Sequence, residues 1–193
     1  MIAGSRISAP LPWWSATITR PSLGPDPAVL IAYGRRVAAS RFVVQLHDAT
    51  ALHYDLRIQV GGVLRSWAVP KGPSLDPAVR RLAVPVDDHS LEAGDFEGVH
   101  EGHRRGSGAV IIWDEGPADI VRDEPGHLVF TAHGGKLSGG FALTRTGPRR
   151  WVLVKTRDGR ARPGSDITAE RPQSVRSGRT WQDLAGEQGD GGG

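Results

Sequence analysis

Eight short segments in which apolar and polar residues alternate with a period near two constrain this chain more than any other feature. They read RFVVQLH, ALHYDLRIQV, VLRSWAVP, RLAVPVDD, GAVIIWD, HLVFTA, GFALTRT and RRWVLVKT, each bounded by Gly, Pro or Asp clusters. Such a pattern suits strands with one face buried and one solvated, and it does not suit helices, whose apolar stripe recurs every 3.6 residues. Eight strands joined by tight turns predict an all-β chain, an antiparallel barrel or sandwich.

The clearest hairpin turns at Gly61-Gly62, between Val60 and Val63. A two-residue Gly-Gly turn supplies the positive φ that primed turns require, and it fixes the register of both strands. Counting outward pairs Leu56 with Trp67 and Tyr54 with Val69 on one face, and Asp55 with Ala68 and Arg57 with Ser66 on the other. The first face is built to be buried. The second projects His53, Asp55 and Arg57 beside small neighbours that leave room for a ligand.

At 193 residues the chain has room for one domain with a proper core rather than two. Residues 1–36 are rich in Pro, Ser and Gly and read as a loose leader, and residues 37–159 hold the strands. Residues 160–193 have too little apolar surface to offset ordering entropy and read as a disordered tail, with Trp181 and Leu184 as the residues able to dock. There is no cysteine, which excludes disulfides, thiolate zinc sites and a cysteine nucleophile. Neither a signal-peptide core nor an apolar run of about 20 residues is present, so a soluble, cytoplasmic monomer with no membrane partner is expected. The net charge is +3 and the pI about 9.8. The cations are mostly arginine, lysine occurring only at Lys71, Lys136 and Lys155. Arginine's planar fork suits phosphate, although a merely solvated arginine surface has the same composition.

Residues two apart on a strand point the same way about 6.6 Å apart, a span that two side chains can close around one ion. His53 and Asp55 can therefore share a metal, and His47, just before the DATA turn, can fold back as a third ligand at one rim of the barrel. Two imidazoles and a carboxylate suit Mn²⁺ or Zn²⁺ better than Ca²⁺. Arg57 extends the row. A guanidinium beside a cation is repelled unless an anion lies between them, which points to a bridging phosphate. Polar residues on a half-solvated strand give the same row with no function at all. Downstream, Lys71 follows the hairpin's second strand on the edge where His53 sits, and Arg81 begins the next strand. Asp87 and His89 share a face if that strand runs on, as a carboxylate would orient a histidine.

The stretch RFVVQLHDATALHYDLRIQVGGVLRSWAVPKGPSLDP, followed by RLAVPVDDHSLEAGDFEG, VIIWDEG, GFALTR and WVLVKTRDG, resembles the 3′-phosphoesterase domain of bacterial DNA ligase D. The likeness runs from about Arg41 to Asp158. It implies a small, closed or nearly closed antiparallel β-barrel with short loops and flexible termini. It also implies a Mn²⁺-dependent enzyme, with Zn²⁺ or Co²⁺ as other fitting ions, that removes 3′-terminal ribonucleosides and 3′-phosphates from DNA ends and primer-templates in nonhomologous end joining. A separate ligase or polymerase and Ku are the implied partners, and a nucleoid-associated cytoplasmic location follows. By the resemblance His47, His53 and Asp55 are metal ligands, Arg57 and His89 contact the scissile phosphate, and Lys71 and Arg81 stand at positions needed for activity. The family usually carries Glu where Asp87 stands and tyrosine where Ala93 stands. In place of its usual I-P-x-G-x-Y-G-x-G this chain has VHEGHRRGSG.

Two other readings compete. His53, Asp55 and a distant His89 imitate the two-histidine, one-carboxylate triad of Fe(II) oxygenases, though that explains neither His47 nor Arg57. A DNA-end-binding module weakened in catalysis by Ala93 is the non-enzymatic alternative. On the hydrolytic reading a general base supplies only about 10² to 10⁴ in rate, so the larger share must come from electrostatic stabilisation of the phosphoryl oxygens. Arg104, Arg105, Arg149 and Arg150 are candidates for further DNA phosphate contacts.

Overall fold

The structure is a computed structural model that describes residues 40–100 and 108–189. Nine strands follow one another: β1 Ser40–Asp48, β2 Leu52–Val60, β3 Val63–Val69, β4 Arg81–His89, β5 Gly98–His100, β6 Gly108–Glu124, β7 His127–His133, β8 Ser138–Gly147 and β9 Arg150–Lys155. A 3-10 turn at Leu91–Asp95 precedes β5, and two helices, α1 Ile167–Glu170 and α2 Trp181–Gly189, follow β9. The sheet runs β1-β2-β3-β4-β9-β8-β7-β6-β5, and β1 also pairs with β6. Eight antiparallel strands thus close into a barrel, and β5 is added outside the ring along β6. Closure pairs the backbone groups that an open sheet would leave exposed along its edges.

Alternation decides which side chains go inside. Phe42, Val44 and Leu46 of β1, and Tyr54, Leu56 and Ile58 of β2, join Trp67, Trp113, Phe130 and Phe141 in the core. The intervening residues, Gln45 and His47 on β1 and His53, Asp55 and Arg57 on β2, lie on the outer face. The Gly61-Gly62 turn gives the expected register, Tyr54 to Val69, Asp55 to Ala68, Leu56 to Trp67 and Arg57 to Ser66, with Gly61 at φ +63°.

Three features depart from the sequence expectation. First, β6 does not stop at Asp114 but runs on through Gly116-Pro117 to Glu124. Proline and glycine normally end strands, yet here they mark where β6 passes from pairing with β5 and β1 to pairing with β7. Second, β3 and β4 slip by one residue: Ser66 faces Val86 but Leu64 faces His89, so β4 spends three steps where β3 spends two. Third, the tail expected to be disordered packs on the barrel over its described part. Ile167 is 1% and Leu184 8% exposed, and Trp181 packs against the same core. The backbone is satisfied too: Arg162 N donates to Leu75 O at 2.8 Å and Val175 N to Ile112 O at 3.0 Å, while Trp113 Nε1 donates to Arg171 O at 2.8 Å. A few well-placed anchors suffice where the average hydrophobicity is low. The expected leader, residues 1–36, lies outside the described residues. Among those described, no helix is long and apolar enough to cross a membrane.

Candidate active site

The β1–β2 hairpin places His47 directly opposite His53, their ring centroids 5.1 Å apart, and the pleat returns Asp55 to the same face. One ligand atom from each of His47, His53 and Asp55 lies within 4.8 Å of the others. His53 Nε2 is 3.5 Å from Asp55 Oδ1, near enough for both to reach one ion through bonds of roughly 2.0 to 2.2 Å. His53 Nδ1 lies 2.8 Å from Ala51 O. A carbonyl can only accept, so Nδ1 carries a proton and Nε2 is the nitrogen turned to the cluster, the arrangement of most metal-bound histidines. The donor set therefore fits a divalent ion. The cluster sits on the outer face of the barrel wall rather than at its rim, because the strand alternation sends these side chains away from the core.

Burial acts against charge here, and neighbours oppose it. It would raise the Asp55 carboxyl, but the hydrogen bond with His53 and the Arg57 charge outweigh it and hold Asp55 below the usual carboxylate range. The hydrogen bond to Asp55 raises His53 above its ordinary value despite partial burial. Arg57 is pulled down by burial, which the Asp55 charge opposes.

Arg57, 8% exposed, uses all three of its nitrogens. Nε donates to Gln45 Oε1 at 2.7 Å, Nη2 to Asp55 Oδ2 at 3.0 Å and Nη1 to Ser66 Oγ at 3.0 Å. Nη1 also lies 3.0 Å from His89 Nδ1. A guanidinium has no acceptor, so His89 Nδ1 accepts and its Nε2 is left to carry a proton as a donor. Contrary to the sequence expectation, no phosphate is required to shield Arg57 from a cation held by the cluster, because Asp55 turns one oxygen toward His53 and the other toward Arg57.

The cluster opens into a cavity of about 920 Å³ whose lining includes His47, His53, Asp55, Arg57 and His89. The segment after β4 forms its opposite wall with Ala93, Phe96 and His100. Phe96 and His100 stack at 4.0 Å, and the His100 ring lies 6.5 Å from that of His47. Gln45 joins the two walls: while its Oε1 holds Arg57, its Nε2 donates to Ala93 O at 3.0 Å and Phe96 O at 2.9 Å. Sequence reading missed Gln45. Its signal was its place in the row, two residues before His47 on the face that carries the ligands.

The other expected site residues lie elsewhere. Asp87 is exposed, and the slip in β4 puts Val86 and His89, not Asp87, on the cavity side. The expected Asp87–His89 pairing is replaced by Arg57–His89. Lys71 is exposed in the turn after β3. Arg81 acts electrostatically on Tyr54 and Asp166, and neither Lys71 nor Arg81 lines this cavity. The third ligand beside His53 and Asp55 is His47 rather than His89, against the oxygenase triad as read from sequence. Arg149 and Arg150 are exposed at the β8–β9 turn. Arg104 and Arg105 lie outside the described residues.

Known proteins resemble the chain across this region. It is 52% identical over 159 residues to the multifunctional non-homologous end joining protein LigD of Pseudomonas aeruginosa, covering 76% of this chain and 19% of that protein. It is 44% identical over 121 residues to the multifunctional non-homologous end joining DNA repair protein LigD of Mycobacterium tuberculosis, covering 61% of this chain and 16% of that one. The protein of Mycolicibacterium smegmatis is 37% identical over 135 residues, 64% of this chain and 18% of that protein. The chain thus spans less than a fifth of the length of these relatives. With residues 45–145 matching the DNA Ligase D 3′-phosphoesterase domain, the chain belongs to that family.

Proposed function

We propose that this chain hydrolyses phosphate esters at DNA 3′ ends, releasing 3′-terminal ribonucleosides and 3′-phosphates to leave 3′-hydroxyls for repair synthesis and ligation. The observation that carries the reading is the meeting of His47, His53 and Asp55 within 4.8 Å beside an arginine–histidine pair in one cavity. His47, His53 and Asp55 would hold a divalent ion, Mn²⁺ in our reading, with Zn²⁺ or Co²⁺ also suited to the donors. A bound ion supplies Lewis-acidic charge to a phosphoryl oxygen. Arg57, held by Gln45, Ser66 and Asp55, presents positive charge in a fixed place, so little reorganisation is needed as charge develops on the phosphoryl oxygens. His89, its Nδ1 committed to Arg57, offers Nε2–H to a phosphate oxygen or to the departing oxygen. Lys71, Arg81 and Asp87 would act from outside the cavity lining. DNA 3′ ends are the substrate class, and a separate ligase, a polymerase and Ku are the proposed partners in a cytoplasmic repair setting.

The test is a primer-template ending in one 3′-ribonucleotide or a 3′-phosphate, incubated with Mn²⁺, Mg²⁺ or EDTA. Product is expected with Mn²⁺, none with EDTA, and a loss of at least a hundredfold in His47→Ala and Asp55→Ala. Full product from both variants overturns the assignment.

A further inference from the structure

We propose that Arg176, with Ser174, is a positioning element for the cavity wall formed by residues 91–97, and through it for Arg57; the inference rests on the hydrolytic reading above. These residues stand beyond 45–145, the stretch that matches the family. Arg176 grips two carboxylates at once. Its Nε and Nη2 donate to Glu115 Oε1 and Oε2 at 2.6 and 2.7 Å, and Nη2 and Nη1 donate to Asp95 Oδ1 and Asp95 O at 3.0 and 3.1 Å. Ser174 Oγ donates to Glu97 Oε2 at 2.6 Å, which also receives Ile112 N at 2.8 Å. Arg41 completes the hold on the 3-10 turn, reaching both oxygens of Asp95 at 2.7 and 3.0 Å and Leu91 O at 2.6 Å.

The anchored turn carries the Ala93 and Phe96 carbonyls that receive Gln45 Nε2, and Gln45 Oε1 receives Arg57 Nε. A continuous set of polar contacts therefore leads from the C-terminal segment to the guanidinium in the cavity. The pairs of Arg176 are partly exposed, at 38% against 50% and 26%. Single pairs of that kind add about 0 to 1 kcal/mol to stability, so their effect belongs to where the turn sits rather than to whether the barrel folds. The bidentate grip on Glu115 of β6 gives Arg176 a rigid base.

The experiment uses the full chain with Arg176→Ala, Arg176→Lys and, as a milder change on the same contact, Glu115→Gln. Three quantities are measured: amide hydrogen exchange over residues 90–98, Mn²⁺ affinity by electron paramagnetic resonance, and kcat and KM on the 3′-phosphorylated primer-template. In Arg176→Ala exchange should quicken across 90–98 and kcat/KM should fall roughly three- to thirtyfold. Mn²⁺ affinity should stay within about twofold, because the ligands come from β1 and β2. Arg176→Lys should recover only part of the loss, since one ammonium cannot span both carboxylates, and Glu115→Gln should fall between. Unchanged exchange at 90–98, or faster exchange with wild-type kcat/KM, overturns the proposal. If the wild-type chain turns over neither substrate, the hydrolytic reading fails by itself. Exchange then judges the anchoring of residues 91–97 alone: quickening confined to 90–98 upholds it, and no change overturns it.

Discussion

Arg57 shows how much one side chain can be asked to do. Its three nitrogens reach Gln45, Ser66, Asp55 and His89, so a cation of the same charge without a planar fork cannot replace it. Arg57→Lys should therefore keep Mn²⁺ affinity within severalfold yet lower kcat by about 10² to 10³, the usual cost of losing a preorganised charge donor; steady-state kinetics beside a paramagnetic-resonance titration separate the two effects. A second prediction concerns protons. In the metal-free protein His53 is raised above its ordinary value, first by its hydrogen bond to Asp55, and a protonated imidazole cannot ligate. Metal uptake must displace that proton, so affinity should be steady above the raised value and weaken by about tenfold per pH unit below it, as titrations from pH 8 down to 5.5 would show. The residues that sequence could find here were those in the alternating row, His47, His53, Asp55 and Arg57. Gln45 stood in the same row, but an uncharged amide carries no chemical flag. Asp87 was misplaced because a one-residue slip leaves no mark in an alternating pattern.

At the level of elements, β6 does what no single segment of the sequence announces. Its start pairs with β5 and β1 and its end with β7, and the change of partner occurs around Gly116-Pro117. A side chain at Gly116 would drive its Cβ into His133 O, a backbone atom that cannot rotate away. Gly116→Ala should thus cost on the order of 1 to 3 kcal/mol, measured by thermal or denaturant unfolding. An unchanged midpoint would mean that the two strands do not approach as closely as this. Sequence reading ended the strand at breakers through which it in fact continues, and it passed over β5 because Gly98–His100 is too short for alternation to register. By contrast the β2–β3 hairpin was legible to the residue, since a Gly-Gly turn admits one register and the burial pattern excludes the shifted one.

For the molecule as a whole, the question is how a polar C-terminal segment stays on the barrel, and Lys136 gives a way to measure it. Lys136 is 6% exposed. Its ammonium lies 4.4 Å over the Trp113 ring and donates to Gln173 O, while its backbone N donates to the buried Asp114 at 3.0 Å. It thus joins the β7–β8 connection to the segment that leads to Ser174 and Arg176. Burial lowers its pKa from 10.5 to about 8, opposed by Asp114 and assisted by Arg171. Below pH 8 both folded and unfolded chains hold the proton and this group adds no pH dependence. Between about 8 and 10.5 the unfolded chain keeps a proton that the folded chain has released, so stability should rise with pH, by at most about 1.4 kcal/mol per unit. Tyr54 works the other way: burial raises its pKa, so its ionisation favours the unfolded chain above its ordinary value near 10. The window that isolates Lys136 is therefore pH 8 to 9.5. Urea unfolding there should show a rising midpoint in the wild type and a flat one in Lys136→Met, whose unbranched side chain can still lie on Trp113. Equal slopes in the two proteins would mean that the ammonium is not held where the docked segment requires it.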